Sequence, residues 1–404
     1  MSLKRSSIHN GTNRAAMDLL PPDVAALVYA PLSVPDLLHL GATCKQLWRA
    51  VNAAIGLRSD IRMPISSARA ELTKSKWDPL SSLEIFLEPR TLVQPTSRIE
   101  PLPRRFNALR RLHLHHINLP VAATRFWTDV FDLAPLLKVL VVDIVTYPTT
   151  ICLTTAHIES IVDIGAPRLV ELQIHERGSM FLNPAGSSYI HRVESDTLQT
   201  LHLTGIHVTN TCIDAPLTSV VIEETMAYPP RGVSCLGPRC HETLAHLELI
   251  VRHSYDIAKL RAFKVLKKLG VTMHGSNASA IILLSELSNK LAGTYIEEID
   301  LHIESDRHTT QYTTQIPSPI TFRGVFGGLA HLTTLRVKFQ STPVWITNFL
   351  CGIDAPALSN VYLESGRYGT GSGLHTGSID ASRLRAYLAI HPTLRISTKN
   401  ISHF

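Results

Sequence analysis

The fold is decided by a short aliphatic motif that is clearest in the stretch Ala355-Pro356-Ala357-Leu358-Ser359-Asn360-Val361-Tyr362-Leu363. In this motif one aliphatic residue, Leu358, is followed after two residues by Val361 and after one more by Leu363. The last two alternate as a β-strand with one buried face requires. The preceding proline cannot continue a helix and therefore marks a turn. The stretch predicts a turn followed by a half-buried strand.

The same motif occurs eleven times between Leu80 and Leu363. Its mean spacing is about 28 residues, within the range of roughly 20 to 29 that leucine-rich repeats show. The chain therefore resembles a degenerate leucine-rich-repeat array. The eleven copies begin at Leu80, Leu109, Leu137, Leu169, Leu198, Leu217, Leu244, Leu266, Ile296, Leu332 and Leu358.

Helical patterns lie between several copies of the motif, and each would pack one face onto the strands. Near the end of the chain, Asp380 is a candidate helix N-cap and Leu394-Arg395-Ile396 a candidate last strand. Strands that alternate with helices favour a parallel sheet. We therefore expect an irregular leucine-rich-repeat-like α/β solenoid over residues 78–404, with the sheet on its concave face. The helical patterns cover residues 126–133, 157–162, 281–291 and 344–350.

A module of three short helices is expected over residues 18–58. The prolines of Pro21-Pro22-Asp23 suit a first helical turn, and the aspartate suits its positive end. Ser33-Val34-Pro35-Asp36 is similar to a capping box that opens a second helix, and Thr43 can cap a third. A core this small usually needs a partner or a neighbouring domain. Residues 1–17 are expected to be disordered, and residues 59–77 to be a linker or first packing segment.

Three elements of this module resemble an F-box. They are Leu20-Pro21-Pro22-Asp23-Val24, Pro35-Asp36-Leu37-Leu38 and Cys44-Lys45-Gln46-Leu47-Trp48, which share the order and spacing of that family. The resemblance covers roughly a tenth of the chain and implies binding to a small Skp-family adaptor and, through it, to a cullin. A helical cap that only shields the end of the array is the alternative. The adaptor-binding residues implied by the resemblance are Leu20, Pro21, Leu32, Leu37, Leu38 and Trp48.

The strand residues that alternate with the aliphatic ones would point away from the core. They are polar, carry both signs of charge and include many histidines. Repeat proteins present such concave walls to their partners. We expect a protein substrate to bind this face through Arg111, His113, Gln173, His202, Glu248, Asp300, Arg336 and Tyr362.

Composition argues against several classes of protein. The net charge of +6 and the pI near 9.0 arise from scattered basic residues, without the cluster that a nucleic-acid face would show. No apolar run is long enough for a membrane span. The six cysteines form no C-x-x-C pair, which is typical of reduced thiols in a cytoplasmic and/or nuclear protein.

Signals for chemistry are weak. Cys235-x4-Cys240-His241 offers only part of a zinc site, which needs four ligands, and reads better as a turn-rich loop. His113 and His115 share a strand face, but no carboxylate accompanies them in the pattern. Gly369-Thr370-Gly371-Ser372-Gly373 lacks the lysine and following helix of a phosphate loop. We expect no catalytic residue, no cofactor and no metal ligands.

These features together favour a substrate-recognition subunit of an SCF-type (cullin-RING) ubiquitin ligase. The F-box-like segment would hold the adaptor and the repeats a protein substrate. Two alternatives stay open. One is a repeat-based interaction scaffold without ligase association, and adaptor binding distinguishes it. The other is an enzyme with a site in the repeat loops, for which a preformed apolar pocket would argue.

Overall fold

The structure, a computed structural model, describes most residues between 61 and 399. The F-box-like segment, with Leu20, Pro21, Leu32, Leu37, Leu38 and Trp48, lies outside the described residues, as do residues 1–17 and the glycine-rich stretch 369–373. The gaps are 65–71, 74–79, 87–101, 118–121, 146–150, 178–189, 207, 209–211, 224–234, 252–258, 276, 306–321, 340–342, 344 and 366–378.

The protein is an α/β protein with a large parallel sheet and few helices. It divides into two compact units, one ending at Ile144 and one beginning at Val145. In the first unit, four strands pair in parallel and in chain order. They are β1 (Ile61–Pro64), β2 (Ser82–Phe86), β3 (Arg111–Ile117) and β4 (Val139–Val145).

The second unit contains nine parallel strands that also pair in chain order. They are β5 (Glu171–Arg177), β7 (Thr200–Thr204), β9 (Ser219–Glu223), β10 (His246–Val251), β11 (Lys268–Gly275), β12 (Glu298–Ser305), β13 (Thr334–Phe339), β14 (Asn360–Ser365) and β15 (Arg395–Lys399). Two further short strands, β6 (Arg192–Glu194) and β8 (Cys212–Asp214), pair with each other. Each of the eleven motifs contributes one strand to these two ladders, as the sequence predicts.

Helices connect several of the strands. Within the part of the chain that is described, none is long and apolar enough to cross a membrane. The Asp380 carboxylate accepts a hydrogen bond from the Arg383 backbone N–H at 3.0 Å, so the predicted N-cap is confirmed. The helices are α1 (Ala123–Leu133), α2 (Ile151–Gly165), α3 (Pro238–Thr243), α4 (Asn277–Leu291), α5 (Ile346–Leu350) and α6 (Ala381–Ile390), with a 3-10 turn at Leu260–Ala262.

Alternation within each strand creates the core. In β7, Leu201 and Leu203 are fully buried, whereas His202 between them is half-buried on the other face. Burial of the aliphatic residues of the motif therefore stabilises the fold. The residues between them are not needed for the core. Large aromatic side chains complete the interior, and Trp127 on α1 and Trp345 before α5 are fully buried.

Hydroxyl groups and backbone amides join one repeat to the next where the strands begin. The Ser195 hydroxyl donates to the Ala166 carbonyl at 2.6 Å and accepts from the backbone N–H of Leu198 at 2.9 Å. Thr243 donates to the Leu217 carbonyl at 2.8 Å. These bonds satisfy backbone groups in the turns that lead into the strands.

Some elements were not predicted. Strand β1 lies inside residues 59–77, the segment expected to be a linker or first packing segment. The stretch from Cys235 to His241, interpreted as a turn-rich loop, contains the start of helix α3. Asp143 on β4 alternates with the aliphatic residues of its motif, a position expected to point away from the core, but it is buried.

Candidate functional site

The second unit carries an aligned row of side chains on the face of its sheet opposite the aliphatic residues. Because the strands are parallel and in register, the residue between the two buried aliphatic residues of one motif lies beside the same residue of the next. We call this set the central row. Its members are Gln173, His202, Val221, Glu248, Gly270, Asp300, Arg336 and Tyr362.

A cleft of about 360 Å³ opens in this row. Four residues predicted to bind substrate (Glu248, Asp300, Arg336 and Tyr362) line it together. Gly270 occupies the position between Glu248 and Asp300, and the Glu248 side chain lies over it, so that a Cβ at Gly270 would be 2.4 Å from Glu248 Cγ. We call this the wall cleft. Its other polar lining residues are Glu223, Thr272, His302, Lys338 and Glu364.

Charged side chains of both signs meet beside the wall cleft. Lys268 Nζ lies 3.2 Å from Glu298 Oε1 and 3.3 Å from Asp300 Oδ2. Arg336 Nη1 pairs with Glu298 and lies 3.3 Å from Asp300 Oδ1. Burial alone lowers the pKa of the Lys268 ammonium, but Asp300 and Glu298 outweigh it and hold that pKa above its ordinary value. The Lys268 ammonium is therefore charged at neutral pH.

Two further contacts fix the edges of the wall cleft. The Arg336 guanidinium lies 5.5 Å from the centre of the Tyr362 ring, within the range of a cation–π interaction. Tyr362 is 42% exposed, whereas most of the large aromatic residues that the structure describes are buried. At the other edge, a hydrogen bond from His246 lowers the pKa of the Glu248 carboxyl, with Nε2 and Oε1 3.2 Å apart.

Gln173 and His202 belong to a separate hydrogen-bonded group nearer the start of the unit. The Thr204 hydroxyl lies 3.1 Å from His175 Nδ1 and 3.2 Å from His202 Nε2, and it donates to Glu223. The His175 and His202 rings meet edge to face with centroids 4.6 Å apart. Burial lowers the pKa of His202, so this ring is neutral at pH 7. Gln173 Nε2 donates to Glu171 at 2.6 Å.

The other two predicted residues, Arg111 and His113, lie on β3 of the first unit. Arg111 is exposed. His113 touches His115, with ring centroids 3.5 Å apart, and carboxylates from the two neighbouring strands approach this pair. Glu84, His113 and His115 offer ligand atoms that lie within 4.8 Å of one another, which could hold a metal ion.

The cysteines that the structure describes form no disulfide. The Cys240 thiol lies 3.3 Å from the Ile213 carbonyl oxygen and 3.4 Å from that of Ala215, and burial raises its pKa. A thiol of this kind is a poor metal ligand, because binding requires the thiolate. None of the other described cysteines, Cys212, Cys235 and Cys351, forms a disulfide.

The sequence predicts which strand residues point outward, but not which residues of the neighbouring strands lie beside them. Glu84 and Asp143 stand on the strands before and after His113 and His115, so their proximity depends on strand register. Counting equal offsets in successive motifs would have revealed it. Models of known protein families and curated proteins give no match to this chain. Its function is therefore inferred from the chemistry of its own surface.

Proposed function

We propose that this protein is the substrate-recognition subunit of an SCF-type ubiquitin ligase. The F-box-like segment, residues 18–58, binds a Skp-family adaptor and thereby a cullin. The wall cleft binds a segment of a protein substrate. Ubiquitin transfer belongs to other subunits, and this chain contributes orientation and a high local concentration of substrate.

The observation that best supports substrate binding is the wall cleft itself. Charged groups of both signs and an exposed tyrosine line it, and such a surface fits a protein segment better than a nucleic acid, whose phosphates need an excess of positive charge. Arginine and tyrosine are the residues that most often carry binding energy in protein interfaces. Arg336 and Tyr362 are therefore the expected anchors.

The mixed charges indicate the chemistry of the substrate segment. Lys268 and Arg336 are already paired with Glu298 and Asp300, so a partner that offers only one sign of charge would break existing ion pairs. A segment with an acidic and a basic residue on either side of an apolar one would replace those contacts. The apolar residue would pack against Tyr362.

Adaptor binding is tested first. The full chain is co-expressed with a Skp-family adaptor and purified through a tag on the adaptor. We expect stoichiometric recovery of the wild type and loss of recovery for a Leu20→Ala, Pro21→Ala, Leu37→Ala variant. Failure of folded wild type to bind any adaptor would overturn the ligase function and leave the interaction scaffold.

The wall cleft is tested in the assembled ligase. An Arg336→Ala, Tyr362→Ala variant should keep the adaptor but lose ubiquitylation of those proteins that the wild type modifies. The matched control is Lys267→Ala, because Lys267 forms a comparable ion pair with Glu297 at 3.0 Å outside the cleft. An unchanged ubiquitylation profile in the cleft variant would show that substrates bind elsewhere.

A further inference from the structure

Four titratable side chains converge on the sheet of the first unit. His113 and His115 lie two residues apart on β3, so both point to the same face. Glu84 of β2 is the register partner of His113. Asp143 of β4 follows Val142, the register partner of Leu114. Three neighbouring strands therefore bring two imidazoles and two carboxylates together.

The distances in this cluster are short. His115 Nε2 lies 2.7 Å from Glu84 Oε1, and His115 Nδ1 lies 2.5 Å from Asp143 Oδ2. His113 Nε2 lies 3.5 Å from the same oxygen of Asp143. Because a carboxylate can only accept, His115 Nδ1 carries the hydrogen of its bond to Asp143.

The His113 ring has an atom that the protein alone leaves unsatisfied. Its Nε2 is buried and forms no hydrogen bond within the described structure. Buried polar atoms of side chains nearly always have a partner, so an unsatisfied ring nitrogen facing carboxylates indicates a missing one. Asp143 is itself 95% buried, and a buried carboxylate requires positive charge nearby.

We propose that Glu84, His113 and His115 bind a divalent transition-metal ion of the zinc class. Imidazole nitrogen together with a carboxylate oxygen suits zinc and its first-row neighbours, whereas calcium and magnesium take oxygen ligands. Asp143 is not a ligand in this arrangement. It accepts from His115 Nδ1, and a carboxylate in this position orients metal-binding histidines. His115 Nε2, which contacts Glu84 at 2.7 Å, is then the ligand atom, and it gives up its hydrogen when the ion binds.

Only small side-chain movements are needed to bring the three ligand atoms to the separations of a tetrahedral metal site. Ligand atoms about 2 Å from a tetrahedral zinc ion lie roughly 3.3 Å apart. The present separations reach from 2.7 Å to no more than 4.8 Å, so rotation of half-buried side chains can close the site. Three protein ligands leave one position for water or for a group of a partner. The site is independent of the wall cleft, and its existence does not depend on the proposed ligase function.

Metal binding is tested on the purified full chain after removal of metal with a chelator. Co²⁺ is added as the optical probe, followed by competition with Zn²⁺. We expect one equivalent of Co²⁺ to produce a visible d–d absorption band of tetrahedral type, and Zn²⁺ to abolish it. Absence of the band from folded wild-type protein would overturn the proposal.

Variants identify the ligands. His115→Ala and Glu84→Gln should each lose the band, and Asp143→Asn should weaken Co²⁺ binding by about 10- to 100-fold, as loss of a supporting carboxylate does elsewhere. Glu84→Gln keeps the size of a half-buried side chain, so it still tests the ligand assignment if His115→Ala does not fold. Circular dichroism checks the fold of each variant.

The matched control is His246→Ala. His246 is also a strand histidine beside a carboxylate, 3.2 Å from Glu248, but it belongs to the second unit and not to the cluster. It should bind Co²⁺ like the wild type. A band that persists in Glu84→Gln and His115→Ala, or that disappears in His246→Ala, would overturn the assignment.

Discussion

The histidine and carboxylate cluster of the first unit and the wall cleft of the second are built at the same positions of the strand motif. In the first unit, Glu84 and His113 are adjacent, and Asp143 on the next strand is almost fully buried. In the second unit, Glu248 is followed by Gly270, and the Glu248 side chain lies over the glycine, where a Cβ would be 2.4 Å from its Cγ. A given motif position therefore has no fixed chemistry. Its neighbours one strand away decide which polar groups come into contact.

The two surfaces differ in how deeply their carboxylates are buried, and therefore in how strongly water screens their charges. The Asp143 side chain is 5% exposed and touches two imidazoles, whereas the Asp300 side chain is 28% exposed and shares two cations with Glu298. Water therefore screens the charges around Asp300, whereas Asp143 interacts mainly with its protein partners. The first surface is suited to hold one small ion, and the second to exchange ion pairs with a partner.

The largest expected effect concerns the interior, where the two units should behave alike. Trp127 and Trp345 are both fully buried, so Trp127→Ala and Trp345→Ala should each lower the free energy of unfolding by about 3–5 kcal/mol. Denaturant unfolding of the full chain measures this. Tyr295→Ala is the control, since Tyr295 is 64% exposed and should cost far less. Similar losses for all three variants would contradict the described core.

The second prediction tests the comparison directly. Asp143→Ala, measured with a chelator present, should lower the free energy of unfolding by about 1–3 kcal/mol because it leaves the half-buried imidazoles of His113 and His115 without their buried carboxylate. Asp300→Ala should cost about 0–1 kcal/mol because its ion pairs are partly exposed and screened by salt. Equal costs would mean that the two surfaces do not differ in burial as described.

The third prediction concerns pH. Burial lowers the pKa of His202, so the unfolded chain takes up this proton more readily than the folded one. The resulting stability is present above the ordinary histidine pKa of about 6.5 and is lost as the pH falls through and below it. The wild type should therefore lose more stability than His202→Gln between neutral pH and about pH 5. Parallel pH profiles of unfolding free energy would contradict the assignment.

The smallest expected effect is at Gly270. A Cβ there would lie 2.4 Å from Glu248 Cγ, so Gly270→Ala should push this flexible side chain away from His246 and change the free energy of unfolding by less than about 1 kcal/mol. The pKa of Glu248 should then rise toward its ordinary value, because the hydrogen bond from His246 is the main cause of its lowering. NMR titration of the carboxyl group measures this, and an unchanged pKa would contradict it.

That depressed pKa has a defined consequence for stability. A carboxyl whose folded pKa is lowered contributes stability above its unfolded pKa, and the contribution is lost as the pH falls through the lower folded value. The wild type and Gly270→Ala should therefore converge in stability in acid. Their difference should be largest near neutral pH.

The sequence predicted the ladders because alternation is a local property. A motif such as Leu198-x2-Leu201-x-Leu203 determines which side chains are buried without information from other strands. Strands β6 and β8 escaped notice because three residues are too few to show alternation. The repeat family and the F-box-like module stay predictions, since no comparison or described residue tests them.

The candidate sites were only partly predictable, because they depend on pairs of strands. Glu248, Asp300, Arg336 and Tyr362 were identified from alternation alone, and the structure places them around one cleft. The carboxylates beside His113 and His115 come from strands that are 29 and 28 residues away along the chain. Their proximity follows from the register, which places residues at equal offsets of successive motifs side by side.

The register of the central row also sets a length scale for any bound segment. Neighbouring parallel strands are about 4.8 Å apart, so chemical features repeat at that interval across the row. An extended peptide lying across the strands presents same-side residues about 6.8 Å apart. The two intervals coincide only near every third strand, after roughly 14 Å. An extended ligand can thus meet equivalent positions at Glu248 and Arg336, three strands apart, but not at the strands between them.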